Sequence, residues 1–166
     1  MNTGQAMITF GAMILLSIVI LNMNRSITDG EEFLNETRFG LEKLAIATSM
    51  IEEISQYPFD EASWDTTKIE KVASDFTAPG NLGPDNGETS EDLYDDVDDY
   101  NGLNFTDTTE QNIYNISCSV SYVNPASPNI SVGARTLFKK ISIQIVTDIT
   151  DDTTRISYVH GFWYFN

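Results

Sequence analysis

The sequence is short of the residues that carry most enzyme chemistry. In 166 residues there is one cysteine, Cys118, and one histidine, His160. A single thiol forms no internal disulfide, so stability outside a cell has to come from packing or assembly. A single imidazole leaves little room for a zinc centre or a histidine-based triad. Bases are scarce as well, nine against twenty-five acids, for a net charge of −16. That balance argues against nucleic acid or an anionic lipid surface as partner, because phosphates are repelled. No glycine-rich phosphate loop, cysteine–histidine cluster or pair of buried acids is legible, so no enzyme is expected. The length suits one domain with a core and hardly two.

The most informative scarcity is local. No charge occurs before Arg25, and Ala6–Met23 is almost wholly apolar. That is roughly the 20 residues a transmembrane helix needs. No Lys or Arg precedes the run and no small-residue cleavage site of the A-x-A kind follows it, which predicts a retained segment over 1–24 rather than a removable signal.

Residues 25–57 turn amphipathic. Leu34, Leu41, Leu44, Ala45, Ile51 and Ile54 recur at helical spacing, with Thr48 filling one place, while Glu36, Arg38, Glu42, Lys43, Glu52 and Glu53 fall mostly between them. The pattern predicts one helix face packed on a core. Thr28 with Glu31 has capping-box spacing and Gly30 weakens a helix, so a bend or break is expected near residues 22–30. A helix running to about Gln56 would be roughly 80 Å long, too long to bury in a domain of this size. Its first half needs lipid or copies of itself around it.

An apolar N-terminal helix without a basic lead-in, passing into an amphipathic half, resembles the processed form of the type IV pilin and pseudopilin family. The stretch AIATSMIEEISQYPFDE (Ala45–Glu61) resembles the end of that helix, and DDVDDYNGL (Asp95–Leu103) resembles an acidic turn found in some members. The resemblance implies a structural subunit of an extracellular filament, a helical homopolymer with a membrane-anchored precursor. It also implies the inner membrane, an assembly machinery and a prepilin peptidase as earlier partners. Assembly would run through Met1, Gln5, Phe10, Ile14, Leu15, Leu16, Ile18, Val19 and Leu21, with Gly4, Ala6, Gly11 and Ala12 permitting close helix approach. Alternatives are a membrane-anchored minor pilin or pseudopilin of a secretion system, or an anchored binding module. The family usually carries a glutamate at the fifth mature position, where this chain has Gln5 if Met1 is the mature start. Gln5 can hydrogen-bond a neighbouring amine without offering charge. Two other starts stay open: processing after Gly4, which puts Thr9 in fifth place, or no processing at all.

Residues 58–112 lose the helical stripe and hold fifteen acids against two bases among 60–112. TAPGNLGPDNGE packs prolines, glycines and asparagine into consecutive turns. In EDLYDDVDDYNGLNF, the residues Asp95, Asp96, Asp98, Asp99 and Asn101 read either as a solvated loop pinned by its aromatics or as candidate calcium ligands. The EF-hand spacing fails, since Gly102 as turn glycine puts the first ligand on Val97. No other cofactor is expected. Asn35, Asn104, Asn115 and Asn129 stand in glycosylation sequons, as does Asn24 at the edge of the apolar run.

Residues 113–166 are near neutral, with three acids and four bases. YNISCSVSY alternates, placing Tyr114, Ile116, Cys118, Val120 and Tyr122 on one face of a strand. NPASPN is a turn, and TLFKKISIQIVTD is a second strand with Ile141, Ile143 and Ile145 on one face. DITDDTT turns the chain again. RISYVHGFWYF is a third strand, apolar on both faces (Ile156, Tyr158, Phe162, Tyr164 against Val159, Trp163, Phe165), expected either at the centre of the sheet or covered by a neighbouring subunit. Cys118 reads as a buried structural thiol and His160 as a partly buried strand residue. The expected fold is α+β: a long N-terminal helix, apolar then amphipathic, packed on a small C-terminal antiparallel sheet in the manner of a pilin, with Ile51 and Ile54 meeting the face of Ile143 and Cys118.

Overall fold

The computed structural model describes residues 2–64, 70–109, 112–147 and 153–163. Met1, residues 148–152 of the turn DITDDTT, Tyr164 and Phe165 lie outside the described residues. The chain forms two units, Met1–Glu42 and Lys43–Asn166.

The first unit is helical. It is built from α1, Thr3–Ile54, whose last turns belong to the second unit. Helical hydrogen bonding continues through residues 22–30, where a break was expected. Thr28 does not cap: its Oγ1 donates to the Asn24 carbonyl one turn back, 3.1 Å away. Gly30 costs about 1 kcal/mol relative to alanine, too little to end a helix with long periodic segments on both sides. Thr9 and Ser17 likewise turn their hydroxyls onto the Ala6 and Met13 carbonyls, both at 2.8 Å. Hydroxyls satisfied inside the helix in this way can enter a dry environment.

The second unit is a five-stranded antiparallel sheet with the end of α1 on one face. The strands are β1 (Asn104–Thr108), β2 (Ile113–Asn124), β3 (Ser127–Ser131), β4 (Phe138–Thr147) and β5 (Thr153–Gly161). They run in the order β1-β2-β4-β5, with β3 paired to the end of β2. Strict alternation along β2 and β4 buries one face, and register aligns the two inner rows: Ile116 opposes Ile145, Cys118 opposes Ile143, and Val120 opposes Ile141. Ala47 and Ile54 close the core over these residues, with Met50 and Ile51 packed beside them. The fold is therefore α+β, a long helix packed by its last turns on a small antiparallel sheet. Phe59, Phe76 and Tyr122 form a second, smaller cluster, the two phenylalanine rings meeting edge to face at 4.9 Å.

Three details differ from the sequence expectation. The buried face of the helix end is Lys43, Ala47 and Ile54, whereas Leu34, Leu41 and Leu44 are exposed. The apolar series thus splits at about residue 46, its N-terminal part belonging to a different face from the one the sheet covers. Strands β1 and β3 occupy stretches expected to be loop and turn. Their sequences, NFTDT and SPNIS, are polar and largely exposed, and their extended state follows from pairing with β2 rather than from a pattern of their own. Of the two places expected for the last strand, the central one is not taken: among the described residues β5 is an edge paired to β4, and it leaves Tyr158 exposed.

Ile143→Ala, at a position with no exposed surface, should destabilise the unit by about 3 kcal/mol in denaturant unfolding, while Ser142→Ala on the opposite face should change it little. Equal effects of the two would contradict the assignment of faces.

Candidate functional site

Two features carry functional chemistry, one in each unit. The first is the surface of the helix over residues 3–42. Phe10, Ile14, Leu15, Leu16, Ile18, Val19 and Leu21, the expected assembly residues, are all exposed, as is Gln5, and Met1 lies outside the described residues. The helix is long and apolar enough to cross a membrane, and none of its most apolar 18-residue window is buried within the chain. A pattern that composition alone did not show extends further. Met13, Ile20, Ile27, Leu34 and Leu41 follow one another every seven residues, each between 50% and 67% exposed. A full helix-packing seam is apolar at two positions in seven; here the companion positions are Leu16, Met23, Gly30, Thr37 and Leu44, so between Ile27 and Leu41 the stripe is one residue wide.

The second feature is a buried charge cluster. Lys139, fully buried on the inner face of β4, donates from Nζ to the Phe59 carbonyl and to Asp60 Oδ2 at 3.0 Å, and it directly contacts Asp98. Its ammonium lies 4.5 Å from the Phe59 ring centre and 5.6 Å from that of Tyr122. A buried cation survives only when paired and hydrogen-bonded, and this one has both. Sequence reasoning missed Lys139 and Asp60. The signal was present, since the alternation that aligns Ile141, Ile143 and Ile145 also places Lys139 inward.

The acidic turn is wired to its own backbone. Asp96 accepts from the Glu61 N–H and, at 2.7 Å, from the Asp98 N–H. Asp99 accepts from the Asp95 and Asp96 N–H groups at 2.9 and 3.0 Å. Asn101 donates to the Leu82 carbonyl and accepts from the Val120 N–H, both at 2.9 Å. Gly102 takes φ +88°, a left-handed turn glycine adopts without strain, and its N–H reaches the Cys118 carbonyl. Of the five candidate calcium ligands, four are thus engaged by protein groups. The carboxylates the fold does bring within 4.8 Å of one another are Glu88, Asp95 and Asp99. Their crowding is electrostatically visible: the charge of Asp95 holds the Glu61 carboxyl above its ordinary range, and burial with the charge of Asp99 does the same for Glu88. Burial also pushes the Asp96 carboxyl up, with the Asp98 charge adding and Lys139 opposing.

Cys118 is buried, and burial pushes its thiol up to about 12. It opposes Ile143, whereas His160 opposes Lys139 four residues along β4, so the two do not form a nucleophile pair. Instead the His160 ring stacks on Phe59 at 6.1 Å. Burial lowers its imidazole below the ordinary value, and the neighbouring Lys139 charge adds to the effect. The outer face of the sheet holds a groove of about 450 Å³ edged by serine hydroxyls, Lys140 and Arg155. Ser142 and Ser157 bond one another across it at 2.9 Å. Asn35, Asn104, Asn115 and Asn129 are all exposed, although Asn104 donates to the Gly102 carbonyl and Asn115 accepts from Thr106.

No protein-family model matches the chain, and no curated protein or solved structure matches it either.

Two outcomes follow from these environments. Cys118 should resist alkylation in the folded protein at neutral pH and react fully in denaturant; rapid native labelling would contradict its burial. His160 is held neutral, so below about pH 6.5 the unfolded chain takes up the proton first and stability falls. His160→Phe should therefore lose less melting temperature than the wild type on acidification from about pH 7.5 to about 5. Parallel curves for the two proteins would show that the imidazole is not shielded.

Proposed function

We propose that this chain is the structural subunit of a type IV pilus-like extracellular filament, assembled through its N-terminal helix from a membrane-anchored precursor. The observation that carries the reading is the apolar stripe that stays exposed past the membrane-spanning length. A membrane anchor needs about 20 apolar residues, enough for a hydrocarbon layer of about 30 Å. Ile27, Leu34 and Leu41 lie beyond that length and are exposed in the chain by itself. Packing against sister helices accounts for them, at about 1.5–3 kcal/mol for each side chain buried.

In this reading the helix first lies in the inner membrane and then exchanges lipid for identical neighbours. A head-to-tail contact that does not close on itself generates a fibre. The exposed acids of the second unit, Asp85, Glu91, Asp92 and Asp95 among them, face water and keep fibres apart by repulsion. Gln5 supplies a neutral hydrogen-bonding group inside the bundle where a charged one is usual in the resembled family.

The membrane-anchored alternative, a component acting singly in a secretion system, makes a different use of the same helix and leaves the stripe beyond residue 24 without a partner. Leu41→Lys separates them. The variant should insert in membranes as the wild type does while filaments sheared from cells and viewed by electron microscopy are lost. Leu16→Asp, an unpaired carboxylate in a dry bundle, should likewise abolish fibres with residues 43–166 still folded. Normal fibres from both variants would overturn the proposal.

A further inference from the structure

The cluster around Lys139 places an amine against a carboxyl group in surroundings that favour joining them. Asp60, Asp98 and Lys139 are 1%, 3% and 0% exposed. The Lys139 Nζ contacts Asp98 Oδ1 directly and lies 3.0 Å from Asp60 Oδ2. Phe59 and Tyr122 wall the amine with aromatic carbon. Asp98 is held from behind, its N–H donating to Asp96 Oδ1, while Asp60 is fixed by the N–H groups of Thr77 at 2.9 Å and Ala62 at 3.2 Å. We propose that Lys139 and Asp98 condense spontaneously into an intramolecular isopeptide bond, Nζ to Cγ, with Asp60 carrying the protons.

The step balances without any co-reactant. Asp60 accepts a proton from the Lys139 ammonium, freeing the lone pair that attacks Asp98 Cγ. A C–N bond forms and one Cγ–O bond breaks. Of the three ammonium protons, one stays on the amide nitrogen. The other two leave with one Asp98 oxygen as water, Asp60 relaying them and ending as it began. Nothing is oxidised or reduced.

Three physical conditions favour it. Fixed groups in contact react at effective concentrations on the order of 10⁵ M or more. A buried ion pair is costly, and amide formation replaces two buried charges by a neutral group. Two carboxylates, Asp60 and Asp98, contact the one ammonium, and Asp96 is bonded to the Asp98 N–H beside them. Burial raises both Asp96 and Asp98, so the first proton to leave the ammonium can rest on Asp98, making the neutral carboxyl that the amine attacks and later departing with the water. The bond would fasten the acidic turn to β4 in a chain that has no disulfide.

The test is peptide mapping by mass spectrometry on the full-length chain, purified in detergent and digested after denaturation. The expected result is a branched peptide joining the Lys139 and Asp98 segments, lighter than the two linear peptides together by one water. It reads the bond whatever processing occurs elsewhere. Asp60→Asn, nearly isosteric, should keep Cys118 protected from alkylation while the two peptides come apart as linear species. Linear peptides with free Lys139 and Asp98, obtained from wild-type protein whose Cys118 is protected, would overturn the proposal. A branch through Asp60 instead would overturn the choice of Asp98, and linkage persisting in Asp60→Asn would overturn the role given to Asp60.

Discussion

An apolar helix surface that its own chain leaves uncovered is the constraint on which everything else in this protein depends. From Met7 to Leu41 the large apolar side chains of α1 are exposed, apart from the half-buried Phe39. Water is a poor solvent for such a surface, at about 25 cal/mol for each Å² left in contact with it. A lipid layer would cover only the first part of it, because the apolar stripe at Ile27, Leu34 and Leu41 continues past the length of a bilayer crossing. The hydroxyls of Thr9 and Ser17 are turned onto the helix backbone, so they are satisfied wherever water is absent.

The second unit solves a different problem. A small domain with one thiol has no disulfide to fasten its turns, and its acidic segment repels itself. The fold answers by spending carboxylates on backbone N–H groups within the turn and by setting one buried ammonium among them. Lys139 joins three parts of the chain that are distant in sequence: the exit of the helix at Phe59 and Asp60, the acidic turn at Asp98, and the start of β4. Ion pair or amide, it is where the acidic region is tied to the sheet.

What was legible beforehand follows from which forces are periodic. The strand at Tyr114–Tyr122 and the isoleucine row of β4 alternate, so burial on one face could be read directly from them, and the α+β class followed. The apolar helix declared itself by length and the absence of charge. The packed face of its last turns did not. Leu41 and Leu44 outweigh Ala47 and Met50 in hydrophobicity, yet the sheet takes Ala47 because a small side chain lets the helix approach closely. Strands β1 and β3 were hidden because long-range pairing with β2 makes them, with no burial pattern to announce it. In the acidic turn, composition left a solvated loop or calcium ligands open, while the geometry engages most of those side chains with N–H groups and Lys139. Aspartates that cap turns and aspartates that bind cations look alike in a sequence, and only the positions of their neighbours separate them.

The central claim, that the helix stripe is covered by sister helices, is tested most directly by hydrogen exchange on the chain in its native assembled state. The account predicts protection that continues without a step from the apolar segment through Ile27 and Leu34 to Leu41, because those turns are packed and dry. Protection that ends near Met23, with residues 27–41 exchanging as a helix open to water, would contradict it.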